Sequence, residues 1–137
     1  MFRLVKILNG RINQGEPVRL PSKANEAYKF GEALVLSDGV LTKCGETAVP
    51  THICGEDYTA PDPEKGDARA IVAEPVSADM IFEVPFSATP ASVNVGDKVT
   101  LHEDGLQVTA DTENGVATIF DKNGAAAIGD KCLVQFK

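Results

Sequence analysis

A chain of 137 residues with 13 Lys and Arg against 20 Asp and Glu carries a formal charge of −7, which repels phosphate backbones and anionic lipid and works against nucleic-acid or membrane-surface binding. Its 12 Gly and 8 Pro are spread over the whole length, a pattern that suits many short strands and turns better than a helical bundle. Apolar residues make up 43% but aromatics only 6%, with no Trp, so the core has to be aliphatic.

Taken in chain order, residues 2–8 are apolar and extended without clean alternation, and 10–15 read as a loop or arm. Charges at Arg3 and Lys6 interrupt the stretch where a secretory signal would need an unbroken apolar run, and no apolar run reaches membrane-spanning length. The expectation is a protein made and kept in a reducing cytoplasm. Residues 17–21, with Pro17 and Pro21, suit a short edge strand, because proline is tolerated at sheet edges. Residues 22–30 fit one short helix capped by Ser22 and stopped at Gly31, or equally the approach to a strand through Tyr28 and Phe30.

Residues 33–36 and 40–44 are apolar runs joined by Ser37-Asp38-Gly39, a strong hairpin signal because Asp-Gly adopts positive φ at little cost. From 45 to 67 the pattern dissolves into a long acidic, proline-containing loop around a short strand at 52–54. Residues 68–74 and 80–84 suggest a second strand pair. Residues 98–102 and 106–110 flank Glu103-Asp104-Gly105, another hairpin, and 116–121 and 131–136 close the chain.

One local signature recurs three times: an apolar residue, Gly, an acidic residue, any residue, an apolar residue. It stands at Phe30-Gly31-Glu32-Ala33-Leu34, at Val95-Gly96-Asp97-Lys98-Val99 and at Ile128-Gly129-Asp130-Lys131-Cys132. Glycine permits the turn, and the carboxylate can accept backbone N–H bonds where a strand begins. We read these as capped strand starts in a barrel or sandwich rather than as a metal site.

Candidates for chemistry are few. Three cysteines, an odd number, argue against a disulfide framework, and Cys44, Cys54 and Cys132 read as small apolar strand residues. Cys44, His52 and Cys54 lie close in sequence, but structural zinc sites pair their ligands at short turns and no second such pair follows. A cytoplasmic β-barrel module using these three for a metal or ligand is the alternative to be tested. His102 beside Glu103 and Asp104, and Lys122 at a turn, read as solvated side chains. No nucleophile–base–orienter set can be assembled from spacing, so no enzyme is expected and no catalytic, metal or cofactor residue is assigned. Charge is the most informative feature: residues 1–23 hold five cations against Glu16 alone, and the remainder holds 8 against 19. A basic segment on an acidic body suits docking on something acidic.

From about Tyr28 to Phe136 the chain resembles the small β-rich head decoration (cement) proteins of tailed bacteriophages and prophages. The matching stretches are Gly31-Glu32-Ala33-Leu34-Val35-Leu36 with Asp38-Gly39-Val40-Leu41, then Ala68-Arg69-Ala70-Ile71-Val72-Ala73, then Val95-Gly96-Asp97-Lys98-Val99-Thr100-Leu101, and a closing strand after Ile128-Gly129-Asp130. The resemblance implies a structural virion protein on the outside of the capsid, with the major capsid protein as partner. It also implies a homo-oligomer such as a trimer, no cofactor, and no nucleic-acid or membrane partner. The expected fold is mainly β: one domain, a small barrel or sandwich built from short hairpins with at most one short helix. Residues 1–23 would be an N-terminal arm on a body of 24–137, with Phe2, Arg3, Lys6, Arg11 and Arg19 as the capsid-docking residues.

Overall fold

A computed structural model describes residues 1–8, 16–59 and 67–137, with side chains at 67–70 left aside. The expected loop at 10–15 with Arg11, and residues 60–66 of the expected loop over 45–67, lie outside the described residues. The described chain is all strand with no helix. Its strands are β1 (Arg3–Ile7), β2 (Val18–Ser22), β3 (Ala27–Tyr28), β4 (Ala33–Ser37), β5 (Val40–Lys43), β6 (His52–Cys54), β7 (Tyr58–Thr59), β8 (Asp67–Pro75), β9 (Met80–Pro85), β10 (Lys98–Val99), β11 (Ala117–Asp121) and β12 (Lys131–Phe136).

They form two main sheets. Strands β2-β5-β4-β6-β8 close into a barrel, and β1-β9-β12-β11-β10 make an antiparallel five-stranded sheet; β3 and β7 pair separately. The barrel interior is filled by small and medium side chains: Leu34, Leu41, Cys54, Ile71 and Ala73, with Leu20 at its margin. The buried Tyr28 of β3 packs against them, with Tyr58 of β7 partly buried beside it. Phe2, Phe82 and Phe136 meet in the core between barrel and sheet, with ring centroids 5.4 to 6.4 Å apart. Alternation links the two cores. Ala33 and Ile53 face the shared core, while their neighbours Leu34 and Cys54 face the barrel interior.

The expected hairpin at Asp38-Gly39 forms, with φ 51° and 81° at its two central residues and Ser37 paired to Val40, the two-residue turn that matches strand twist. Residues 98–110 also fold back on themselves, but regular pairing shrinks to a bridge between Leu101 and Val108 beside the short β10.

Three expectations need correction, and one open choice is decided. Of the two readings for 22–30 the approach to a strand holds and the helix is absent: Ser22 ends β2 and Tyr28 lies in β3, its hydroxyl donating 2.9 Å to the Leu41 carbonyl and accepting from Lys23 N–H. A buried tyrosine anchored on the next strands outweighs local helix preference. Residues 17–21 do not form an edge strand. They supply most of β2, a barrel strand, and Pro21 sits at a register shift between Leu20 and Ser22, where its missing N–H breaks no ladder. Strands β8 and β9 do not pair, because Val76 N–H donates to the Thr51 carbonyl and the chain then crosses from barrel to sheet. Residues 1–23 are not a detached arm in the described part, since β1 pairs with β9 and β2 pairs with β8 and β5.

Candidate functional site

The recurring Gly-acid signature makes the same turn each time. Glu32, Asp97 and Asp130 donate their N–H to the carbonyls of Lys29, Asn94 and Ala127 at 3.0 to 3.2 Å. The intervening glycines lie at φ 77°, 93° and 86°, the signature of a type II turn. Each acidic side chain accepts the N–H three residues earlier, from Lys29, Asn94 and Ala127, at 2.8 to 2.9 Å. Each glycine N–H donates to a backbone carbonyl elsewhere, at Cys54, Ile119 or Phe86, over 2.8 Å. The turns therefore rivet non-adjacent segments together, and their carboxylates are spent on the backbone. The apolar residue before each glycine points outward: Phe30, Val95 and Ile128 are 54%, 62% and 67% exposed. Glu32 is itself buried, with Oε1 3.0 Å from Lys43 Nζ.

The cysteine–histidine stretch does not converge. Cys44 belongs to the shared core and Cys54 to the barrel interior. Their thiols donate to the Ala48 and Glu56 carbonyls at 3.0 and 3.1 Å. Burial pushes the Cys44 thiol up to about 12 and that of Cys54 up to about 11. His52 is half-buried, its Nδ1 2.9 Å from Thr51 Oγ1, and burial lowers its pKa. Among the described residues no group of three His, Cys, Asp or Glu is placed to hold a metal ion.

The sequence-predicted docking residues fall in different places. Phe2 is 2% exposed and sits in the aromatic part of the shared core. Arg3 and Lys6 stand exposed on β1, at one edge of the five-stranded sheet. Arg19 is on the barrel, with a guanidinium nitrogen 3.7 Å from Glu56 Oε1. Arg3 is joined by residues that sequence reading passed over. Its Nη2 and the Lys131 ammonium both lie 2.9 Å from Glu83 Oε1, across three adjacent strands. The Lys131 hydrogen bond, then the Arg3 charge, hold the Glu83 carboxyl below the usual range. Beside this trio lies a depression of about 340 Å³ lined by Met1, Arg3, Glu83, Pro85 and Lys131. Alternation within β9 and β12 was the signal that could have paired Glu83 with Lys131. No protein-family model and no curated protein sequence matches this chain.

Proposed function

We propose that this protein is a structural component of a tailed-phage or prophage virion, made in the bacterial cytoplasm, that binds the outside of the capsid shell and stabilises it. The observation that carries the proposal is a body of barrel and second sheet riveted by three identical turns. A cement protein has to transmit load between shell subunits without deforming. A closed barrel sharing a core with a second sheet suits that task, because close-packed interiors transmit strain. The resemblance over residues 28–136 points the same way. The major capsid protein is then the partner, and a closed ring of copies, such as a trimer, would add avidity to weak single contacts.

The test is stabilisation. Shells assembled from the major capsid protein of the same genome are heated with and without the purified chain. A higher disruption temperature, saturating at a fixed ratio of chain to shell subunit, is the expected result. Unchanged disruption at any ratio would overturn the proposal.

A further inference from the structure

Three asparagines are followed by glycine: Asn9-Gly10, Asn114-Gly115 and Asn123-Gly124. The first pair lies outside the described residues. The other two asparagines are both exposed and both at positive φ, 58° for Asn114 and 52° for Asn123. Neither following glycine N–H donates a hydrogen bond among the described residues. What separates the pairs is freedom to move. Gly115 is half-buried and leads into β11, with Val116 N–H donating 2.9 Å to the Val99 carbonyl. Its Cα lies so close to the peptide between Lys98 and Val99 that an added Cβ would collide with that backbone. Gly124 is exposed, at φ 78°, with nothing within 4 Å of an added Cβ. Residues 122–125 make a type I′ turn, closed by Ala125 N–H on the Lys122 carbonyl at 2.9 Å. Asn123 N–H donates to Asp121 Oδ1 at 2.8 Å.

We propose that Asn123 is a site of spontaneous deamidation in the folded protein, through attack by its own backbone, and that the fold protects Asn114. Hydroxide removes the Gly124 amide proton, the nitrogen bonds to the Asn123 side-chain carbonyl carbon, and the side-chain nitrogen leaves as ammonia. Water then opens the cyclic imide at either carbonyl. One opening gives aspartate, the other isoaspartate, in which the main chain runs through the side-chain carbon. The net change is gain of water and loss of ammonia. The attack needs a nitrogen with no Cβ beside it, no competing hydrogen bond, and backbone that can rotate out of its turn. At Asn123 that rotation breaks only the turn's own bond and the Asp121 contact, and exposed turns open readily. At Asn114 it would drag Gly115 and Val116 off the Lys98–Val99 backbone, and strand segments open only at free energies nearer that of global unfolding. Asp38-Gly39 and Asp104-Gly105 are not rivals, because carboxylates are poor electrophiles, and Gly105 N–H is bonded to the His102 carbonyl at 2.9 Å. The new carboxylate adds one negative charge to a chain at −7. It stands in a depression of about 390 Å³ that Asn123 shares with Asp130 and Lys131. Isoaspartate also lengthens the main chain inside the turn, so the bond from Ala125 to Lys122 is lost.

The test uses the full wild-type chain, aged folded in mildly alkaline buffer and, in parallel, unfolded in concentrated urea. Peptide mapping by mass spectrometry follows Asn114 and Asn123 in the same samples, and enzymatic methylation of isoaspartate identifies the imide route. In the folded chain Asn123 should convert to a mixture of aspartate and isoaspartate, with Asn114 at least about tenfold slower. In urea the two rates should converge, because the packing that holds Gly115 is gone. Conversion of Asn123 only in the unfolded chain would overturn the inference, since the turn would then be the protector. So would equal rates at the two sites in the folded chain, or aspartate at position 123 without isoaspartate. None of these outcomes depends on the capsid reading.

Discussion

A Cβ added at Gly105 would stand 3.0 Å from Glu32 Cγ and 3.3 Å from the Ala33 carbonyl oxygen, on a backbone at φ 65°. At Gly39 the φ is 81° but no atom lies within 4 Å. Both turns were legible as Asp-Gly, yet only the structure separates conformational strain from collision. Gly39→Ala should therefore cost about 1 kcal/mol and Gly105→Ala roughly 2–3 kcal/mol, read from denaturant midpoints. Equal losses would mean that the Glu32 contact yields freely. The thiols make a second test at this scale. All three cysteines are free and buried, and burial pushes the Cys132 thiol up to about 12, like that of Cys44. The native protein should resist an aromatic disulfide reagent and release three reactive thiols only on unfolding; fast reaction in the folded state would contradict this placement. Acid supplies a third. Hydrogen bonds from Ala126 and Ala127 hold the Asp130 carboxyl below its ordinary value, and the Lys131 hydrogen bond and Arg3 do the same for Glu83. A carboxyl depressed on folding contributes stability that is present above its unfolded pKa, about 4, and lost as pH falls through the folded value. The lowered pKa of His52 works in the same direction from its unfolded value of about 6.5, so the melting temperature should decline below about pH 6.5 and more steeply below about pH 5, with the steep part shallower in Asp130→Asn. A variant with the wild-type slope would remove Asp130 from the account.

At the level of strands, alternation and turn chemistry made most elements readable and their partners much less so. Residues 52–54 and 131–136 become strands as expected, because apolar runs bounded by turn residues leave little else to form. The 22–30 stretch stayed ambiguous because its helix-compatible spacing is local, whereas the bond from the Tyr28 hydroxyl to Leu41, which decides for the strand, joins distant positions. The pairing of 68–74 with 80–84 failed for a related reason. Ile71 and Ala73 pack in the barrel core and Met80 and Phe82 in the shared core, and which of two cores an apolar run enters cannot be read from one sequence. The arm failed most instructively. Leu4 and Ile7 pack on the shared core while Arg3 and Lys6 face out, but the shift between Leu4 and Lys6 breaks the period that would have announced a sheet strand. Of the docking residues, the charges at Arg3 and Lys6 were readable, and the partners Glu83 and Lys131 lay too far along the chain to be joined to them. Two outcomes follow at this scale. Phe2→Ala should destabilise by about 3 kcal/mol, since it empties a site against Phe82 and Phe136. Deleting residues 1–23 should leave no cooperatively melting protein, because it takes one strand from each main sheet. A truncated chain with native circular dichroism and a sharp melt would restore the arm.

For the whole molecule, the rigidity of the joined sheets has one consequence. If the chain stabilises a shell as proposed, it should bind as one body, and salt should weaken any contact made by its exposed charges, which are screened beyond about 10 Å at 0.1 M. A reconstruction by electron cryomicroscopy of shells from the same genome, saturated with the purified chain, tests this directly. Ordered copies of the whole folded body at repeated positions on the outer surface are the expected result. Shells that stay bare at saturating protein, or copies confined to the inner surface, would contradict the capsid-stabilising role.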